Sequence, residues 1–375
     1  MKSFSTRYIT ALRFPLAVGV VMIHSYVSPW CEEVPAAWGV FHRLAALLSH
    51  ILPSVSVPLF FAISGYLFFR GIEAFTSTVY LDKLRRRFFT LLVPYLAWNA
   101  LAALLYWARD AFSAFQAGTQ MLSLWTYMGQ HGGLGIFWGN QVLGHAGSVN
   151  WAGWYVHDTL APALMPLWFM RDLMCCALLS PLLYWLLRRV GWGVCLALGV
   201  AYISNLWPNY GGVRLLGLFY FSLGAWFSLR RLNPAEWAAR CIRPAAGCAL
   251  VLTLLLWLRS DSLGDAYTLL TVLYALSSMV CAVWAASVWT ARHEPAEWLA
   301  RGSFFLYASH AIVMRQLLLV IPHWCIPQGE AVSVAGYLTI PLLAVACCMA
   351  FYRVCSLCPG SWILTGHRPP HLPAK

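Results

Sequence analysis

The chain has 375 residues, of which 61% are hydrophobic, 15% aromatic and only 10% charged. That balance excludes a soluble globular domain, and it indicates an all-α, polytopic transmembrane helical bundle. The formal net charge of +12 raises nucleic acid as a partner, but Lys and Arg also collect on the cytoplasmic loops of membrane proteins, and that explanation is tested first.

The first apolar segment, residues 8–28, carries Arg13 and His24 among otherwise apolar side chains. A charge inside bilayer hydrocarbon costs at least about 2.5–3.5 kcal/mol, so an ionisable residue there is a functional hypothesis by default. Eleven residues separate the two, which places them within about 20° of one helix face and about 16 Å apart along it. The plainer readings are that Arg13 snorkels to the headgroups and that His24 bonds a neighbouring helix. Arg13 interrupts the apolar run and no A-x-A site follows it, so an uncleaved first span is expected rather than a secretory signal.

Nine more apolar segments follow, at about 48–69, 88–108, 162–187, 191–208, 213–229, 244–258, 266–290, 303–323 and 335–355, giving about ten spans. The fifth to seventh are short, and the turn at Pro208–Gly212 is tight. Lys83, Arg85, Arg86 and Arg87 form a basic loop before the third span; they are either plain positive-inside charge or a clamp for an anion. Ser64–Gly65 in the second span reads as close helix packing.

Residues 109–161 make a long outer connection rich in Gly, Trp and His, an insert in a single membrane domain that ends in a short cytoplasmic tail at about 356–375. Long ordered loops are usually functional. Trp151, Trp154, Tyr155 and His157 are candidates for stacking on and bonding to a sugar acceptor; the alternative is an interfacial aromatic belt. His131, His145 and His157 are too loosely spaced for a zinc site, and no metal is expected. In the fourth span Arg171–Asp172 reads equally as a self-neutralising structural pair or as an orienting, acceptor-binding pair. His310 and Arg315 share the ninth span; His310 either contacts a donor or bonds a neighbouring helix. The twelve cysteines sit mostly in apolar runs, where they behave as small hydrophobes, and Cys355-x-x-Cys358 alone is a weak metal signal.

The basic residues sort by side. Eighteen of the 25 Lys and Arg fall on one side of the ten spans, Arg43, Arg109, Arg214 and Arg259 on the other, and Arg13, Arg171 and Arg315 within spans. The asymmetry places both termini in the cytoplasm and accounts for the net charge without nucleic acid. Arg13 then lies toward the cytoplasm and His24 toward the outer face.

Four stretches together resemble the integral-membrane acyltransferase-3 family, the bacterial O-acyltransferases of surface glycans. They are the Arg13-x10-His24 element, Val57-Pro-Leu-Phe-Phe-Ala-Ile-Ser-Gly65-Tyr-Leu, the basic run Lys83–Arg87 leading to Pro94-Tyr95, and the pair Pro166-Leu-Trp168-Phe-Met-Arg171-Asp172 with Ser303-Phe-Phe-Leu-Tyr307-Ala-Ser-His310. The resemblance runs from about residue 8 to 323. Pro15 stands where many relatives have a small residue, the outer connection is longer than expected, and no hydrolase-like domain follows the tenth span.

The resemblance implies a multi-pass protein of the bacterial cytoplasmic membrane that moves an acyl group, acetyl above all, from cytoplasmic acyl-CoA to a hydroxyl of a cell-surface or lipid-linked glycan. No permanently bound cofactor is implied; acetyl-CoA is a substrate. On this reading Arg13, with Arg85, Arg86, Arg87 and His310, binds the donor, and His24 acts as general base or accepts the acyl group itself. Trp151, Trp154, Tyr155, His157, Arg171 and Asp172 serve the acceptor. A transporter or flippase of a glycan or lipid-linked substrate is the main alternative, because spans with buried charges suit that class too.

Overall fold

The computed structural model describes residues 6–130, 132–139, 141–142, 160–204, 206, 211–259 and 266–367. Nine of the ten expected apolar segments are each, over most of their described length, one helix or part of one. In chain order they are α1 (Arg7–Ile23), α2 (Gly39–Phe69), α3 (Ser77–Gln116), α4 (Met165–Leu178), α5 (Ser180–Arg189), α6 (Trp192–Ile203), α7 (Leu215–Leu229), α8 (Pro234–Arg259), α9 (Ala266–Arg292), α10 (Glu297–Gln328) and α11 (Glu330–Cys355). Six of these, α2, α3 and α8–α11, are long and apolar enough to cross a bilayer. The fourth expected span is not one helix but two, α4 and α5, bent by 61° at Leu179. Pro181 sits in the first turn of α5, where its missing N–H costs nothing but prevents α4 from running on.

Two helices start earlier than the hydropathy alone indicates. α3 begins at Ser77, so the basic stretch Lys83–Arg87 is helical, not a loop. Thr76 caps it, its hydroxyl accepting from the Val79 N–H at 3.4 Å, and Leu, Lys and Arg are good helix formers. The helix passes through a π segment at Phe88–Leu92 and ends at Gln116, so the first residues of the expected outer loop are helical as well. α2 starts at Gly39 and carries a π segment, Ala46–Ile51, followed by a 3-10 turn, Leu52–Val55. Pro53 lies at that junction; it donates no N–H and its ring crowds the preceding turn, which shifts the register of the ladder.

The chain forms two compact units, residues 1–72 with 220–355, and residues 73–219 with 356–375. In the first, the hairpins α8–α9 and α10–α11 are joined by α1, which packs on α9 and α10. Gly65 of α2 meets the Phe221 carbonyl of α7, and Gly224 of α7 meets the Ala62 carbonyl of α2, so a Cβ at either glycine would collide with backbone. This is the close packing expected at Ser64–Gly65. In the second unit α3 organises the rest. Tyr95 donates to the Phe137 carbonyl, Asn99 accepts from the Leu164 N–H at 3.0 Å, and Trp98 donates to the Leu364 carbonyl at 2.9 Å. The connection after α3 contains a helical turn at Leu124–Gln130, a 3-10 turn at Gly133–Phe137, and an antiparallel ribbon, β1 (Gln141–Val142) with β2 (Leu160–Ala161), in the register Gln141 to Ala161.

Candidate active site

α1 ends at His24, whose N–H reaches back to the carbonyls of Val20 at 3.3 Å and Val21 at 3.2 Å. Its side chain is partly exposed. The imidazole lies 5.3 Å, ring centre to ring centre, from that of His310, with the planes tilted by 36°. His310 sits in the middle of α10 and is fully buried. Its Nδ1 is 2.7 Å from the Tyr307 carbonyl. A carbonyl only accepts, so Nδ1 carries the hydrogen and Nε2 of the neutral ring is a lone-pair acceptor. That Nε2 is buried and has no hydrogen-bond partner among the described residues. Nor does any described residue bond the His24 ring. The site therefore holds two adjacent imidazoles, one locked in a single tautomer and one available.

The sequence places these residues for simple reasons. α10 is buried from Phe305 through His310 because α1 and α11 pack on it, and small residues at Ala308 and Ser309 let those neighbours approach. Ala17, Val20 and Val21 are the buried face of α1, which carries His24 inward at its end.

Arg13 is exposed and makes no hydrogen bond or ion pair with any described residue. Arg7, one and a half turns earlier, is committed to Glu294 at 2.5 Å. An unpaired guanidinium on a membrane helix is expensive unless it faces water or a ligand. Pro15 does not end the helix, which continues to Ile23.

Sequence reasoning missed a second cluster beside His24. The Tyr26 hydroxyl is 2.9 Å from Nδ1 of His42, whose Nε2 is 3.1 Å from the Pro35 carbonyl. That carbonyl requires Nε2–H, so the tyrosine donates to Nδ1. His50 lies on the π segment of α2, exposed, with its ring edge-on to Tyr26 at 5.6 Å. The available signal was the clustering of His24, His42 and His50 in one short stretch, without a helical period to tie them together.

The remaining predicted residues belong to the second unit. Arg171 and Asp172 are buried, each 1% exposed, but they are not a self-neutralising pair. Asp172 Oδ1 takes Arg171 Nε at 3.1 Å and the Gly212 N–H at 2.8 Å, while Oδ2 faces Arg214 Nε at 3.4 Å. Arg171 also donates to the carbonyls of Trp138 and, at 3.1 Å, Leu160, and Arg214 donates to Leu160 at 3.3 Å while lying over the Trp168 ring. Arg214, expected in an outer loop, is thus the third member of a buried brace with two cations and one anion. The brace ties α4, the 3-10 turn region, β2 and the α7 approach together. Arg85 and Arg86 are exposed and Arg87 half-buried near the end of the basic part of α3. Trp151, Trp154, Tyr155 and His157 lie outside the described residues, as do His131 and His145.

Comparison with known proteins finds a curated relative and a family. The chain is 29% identical over 371 residues to the succinoglycan biosynthesis protein ExoH of Rhizobium meliloti (strain 1021), covering 96% of this chain and 92% of that one. No solved structure matches. The acyltransferase domain of the acyltransferase-3 family matches residues 6–353, a stretch that holds both imidazoles, Arg13 and the brace. By that match over nearly its whole length, the chain belongs to the acyltransferase-3 family and is a multi-pass membrane acyltransferase.

Proposed function

We propose that the protein is a membrane O-acyltransferase that moves an acyl group, acetyl first among the candidates, from cytoplasmic acyl-CoA to a hydroxyl of a cell-surface or lipid-linked glycan, acting in a bacterial cytoplasmic membrane. The observation that carries this reading is the unbonded, partly exposed His24 ring beside the buried, tautomer-locked His310. A base needs a free nitrogen within reach of a hydroxyl, and His24 has one. The name of the relative ExoH adds a polysaccharide context.

In the reaction the glycan hydroxyl oxygen attacks the thioester carbonyl carbon as its proton passes to His24. The carbon–sulfur bond then breaks, and the proton returns from His24 to the departing CoA sulfur. If the imidazole instead takes the acyl group first, its nitrogen displaces CoA, which leaves as the thiol with the ring's proton, and the glycan hydroxyl oxygen then breaks the new nitrogen–acyl bond as its own proton passes back to the ring. His310 sets the orientation of His24. Arg13, about 16 Å away along α1, pairs with donor phosphates, so that the slender pantetheine arm spans the interval. Tyr26 and His50 form the acceptor side near His24; the family resemblance assigns Trp151, Trp154, Tyr155 and His157 to the acceptor as well.

The test is acetyl-CoA binding and turnover by purified protein. His24→Ala should lower kcat by about 10²–10⁴, the range of a lost acid–base group, with donor binding retained. Arg13→Ala should weaken donor binding by about tenfold or more, as expected for a lost charged hydrogen bond. A folded wild-type protein that neither binds nor turns over acetyl-CoA or longer acyl-CoAs would sink the proposal and bring the transporter reading forward.

A further inference from the structure

The first unit contains a half-open cavity of about 490 Å³ bordered by α1, α2, α7, α8 and α9. Its walls are almost wholly apolar: Ile9, Leu59, Phe227, Ala245, Leu276 and Val280 are typical. Along α8 it runs from Pro234 to Cys248, about 21 Å at 1.5 Å per residue, which exceeds the hydrocarbon depth of one leaflet, about 15 Å. α8 is also the least covered of the candidate spans, with 11% of its most apolar window buried, so the cavity stands beside a helix that meets lipid.

One end of this cavity is basic. Pro234 and Phe227, lining residues, flank the turn that holds Arg230 and Arg231, both exposed. Arg240, also exposed, follows Trp237 by three residues and precedes Pro244 by four, so it borders the lining stripe of α8. Tyr8 and Tyr66 line the same end, and both phenols are electrostatic neighbours of Arg70, the residue that closes α2. In the first turn of α8 Glu236 accepts from Asn233 at 2.8 Å. The lining itself carries no charged residue at either end, so the arginines border the cavity rather than wall it.

We propose that this cavity is a binding site for one phospholipid with an anionic headgroup, its acyl chain in the cavity and its phosphate at the arginine-rich mouth. An apolar groove of this depth disfavours a sugar, whose hydroxyls would go unbonded against it. The excess of guanidinium at a single end selects a negative over a zwitterionic head. The site is separate from the imidazole pair, and none of its lining residues is assigned to catalysis.

The experiment is native mass spectrometry of the full-length protein after exchange into dioleoyl phosphatidylglycerol, dioleoyl phosphatidylcholine or oleoyl-CoA. The wild type should retain one phosphatidylglycerol per chain in preference to phosphatidylcholine. Ala245→Trp and, separately, Leu276→Phe fill the cavity and should each lower that retention by about tenfold, the effect of excluding two methylenes from apolar burial. The exposed pair Arg230→Glu with Arg240→Glu should abolish the preference for phosphatidylglycerol without touching the core, which keeps the test informative if a filled variant fails to fold. Unchanged retention in a folded filled variant, equal retention of the two phospholipids, or retention of oleoyl-CoA in place of phosphatidylglycerol would overturn the proposal, the last by making the cavity a donor-chain site.

Discussion

At the scale of single residues, two histidines that are 286 positions apart in the chain share one site, their ring centres 5.3 Å apart. His310 already spends Nδ1–H on the Tyr307 carbonyl, which leaves Nε2 as the only group it can offer a neighbour. This separates a structural role from a positioning one. An asparagine amide can replace Nδ1–H but not the Nε2 lone pair. If His310 merely bonds its own helix, His310→Asn restores everything. If it orients His24, kcat should fall by about 10- to 100-fold, the usual scale for losing the partner that orients a functional histidine, while the KM for acyl-CoA and the melting temperature stay near wild type. Steady-state kinetics on the asparagine and alanine variants decide it; wild-type kcat in His310→Asn would end the positioning assignment. Arg13 and His24 were legible in the sequence because polar residues stand out in an apolar span. His310 was legible as an intramembrane histidine, but its partner was not, since nothing local in α10 points to the end of α1. Tyr26, His42 and His50 carry no helical period that would mark them in the sequence.

At the scale of elements, the apolar segments of the sequence are helices, yet their ends and breaks differ from what hydropathy gives. A threonine cap extends α3 back over its basic stretch, and prolines at 53 and 181 reshape α2 and divide α4 from α5. Hydropathy weighs side chains and is blind to a missing backbone donor, so breaks of this kind are read only by asking where each N–H goes. The brace shows the same limit for charge. Arg171–Asp172 reads as a neutral pair because the two are adjacent; Arg214 is 42 residues further on, and only the fold brings its Nε to 3.4 Å from Asp172. Asp172 therefore holds two buried guanidiniums and the Gly212 N–H at once. Asp172→Asn preserves shape and removes the one anion, leaving like charges buried together. Breaking a buried ion pair in this way costs about 3–5 kcal/mol, so the variant should melt well below wild type in detergent or fail to accumulate. Arg13→Ala, on an exposed guanidinium without a partner among the described residues, should leave thermal stability unchanged. A wild-type melting curve for Asp172→Asn would show that the brace does not hold the second unit together.

At the scale of the whole molecule, the order of spans was legible and the number of crossings turns on geometry. α6 and α7 have 12 and 15 residues, or about 18 and 22 Å, against about 30 Å of hydrocarbon, so each needs thinned lipid or protein cover to cross alone. The α4–α5 pair either crosses once, bent, or dips in and returns. Two native thiols distinguish these cases. Cys31 follows α1 and Cys358 follows α11, and both are exposed. If α2, α3, the α4–α5 pair and α6–α11 each cross once, an odd number of crossings lies between the two cysteines and they face opposite sides of the membrane. The excess of Lys and Arg then puts Cys31 outside and Cys358 in the cytoplasm, with both termini. If the α4–α5 pair returns to the side it came from, the number becomes even and both thiols face the same side. Losing α6 and α7 together as crossings would not change the parity, so the readout tests the bent pair apart from that case. Single-cysteine versions treated with a membrane-impermeant maleimide in right-side-out vesicles should label at Cys31 at once and at Cys358 only after permeabilisation. Labelling of both before permeabilisation would make α4–α5 a re-entrant hairpin and move α11 to the opposite direction across the membrane; labelling of Cys358 alone would reverse the whole orientation and put His24 on the cytoplasmic side, where the acyl donor and the glycan would have to meet.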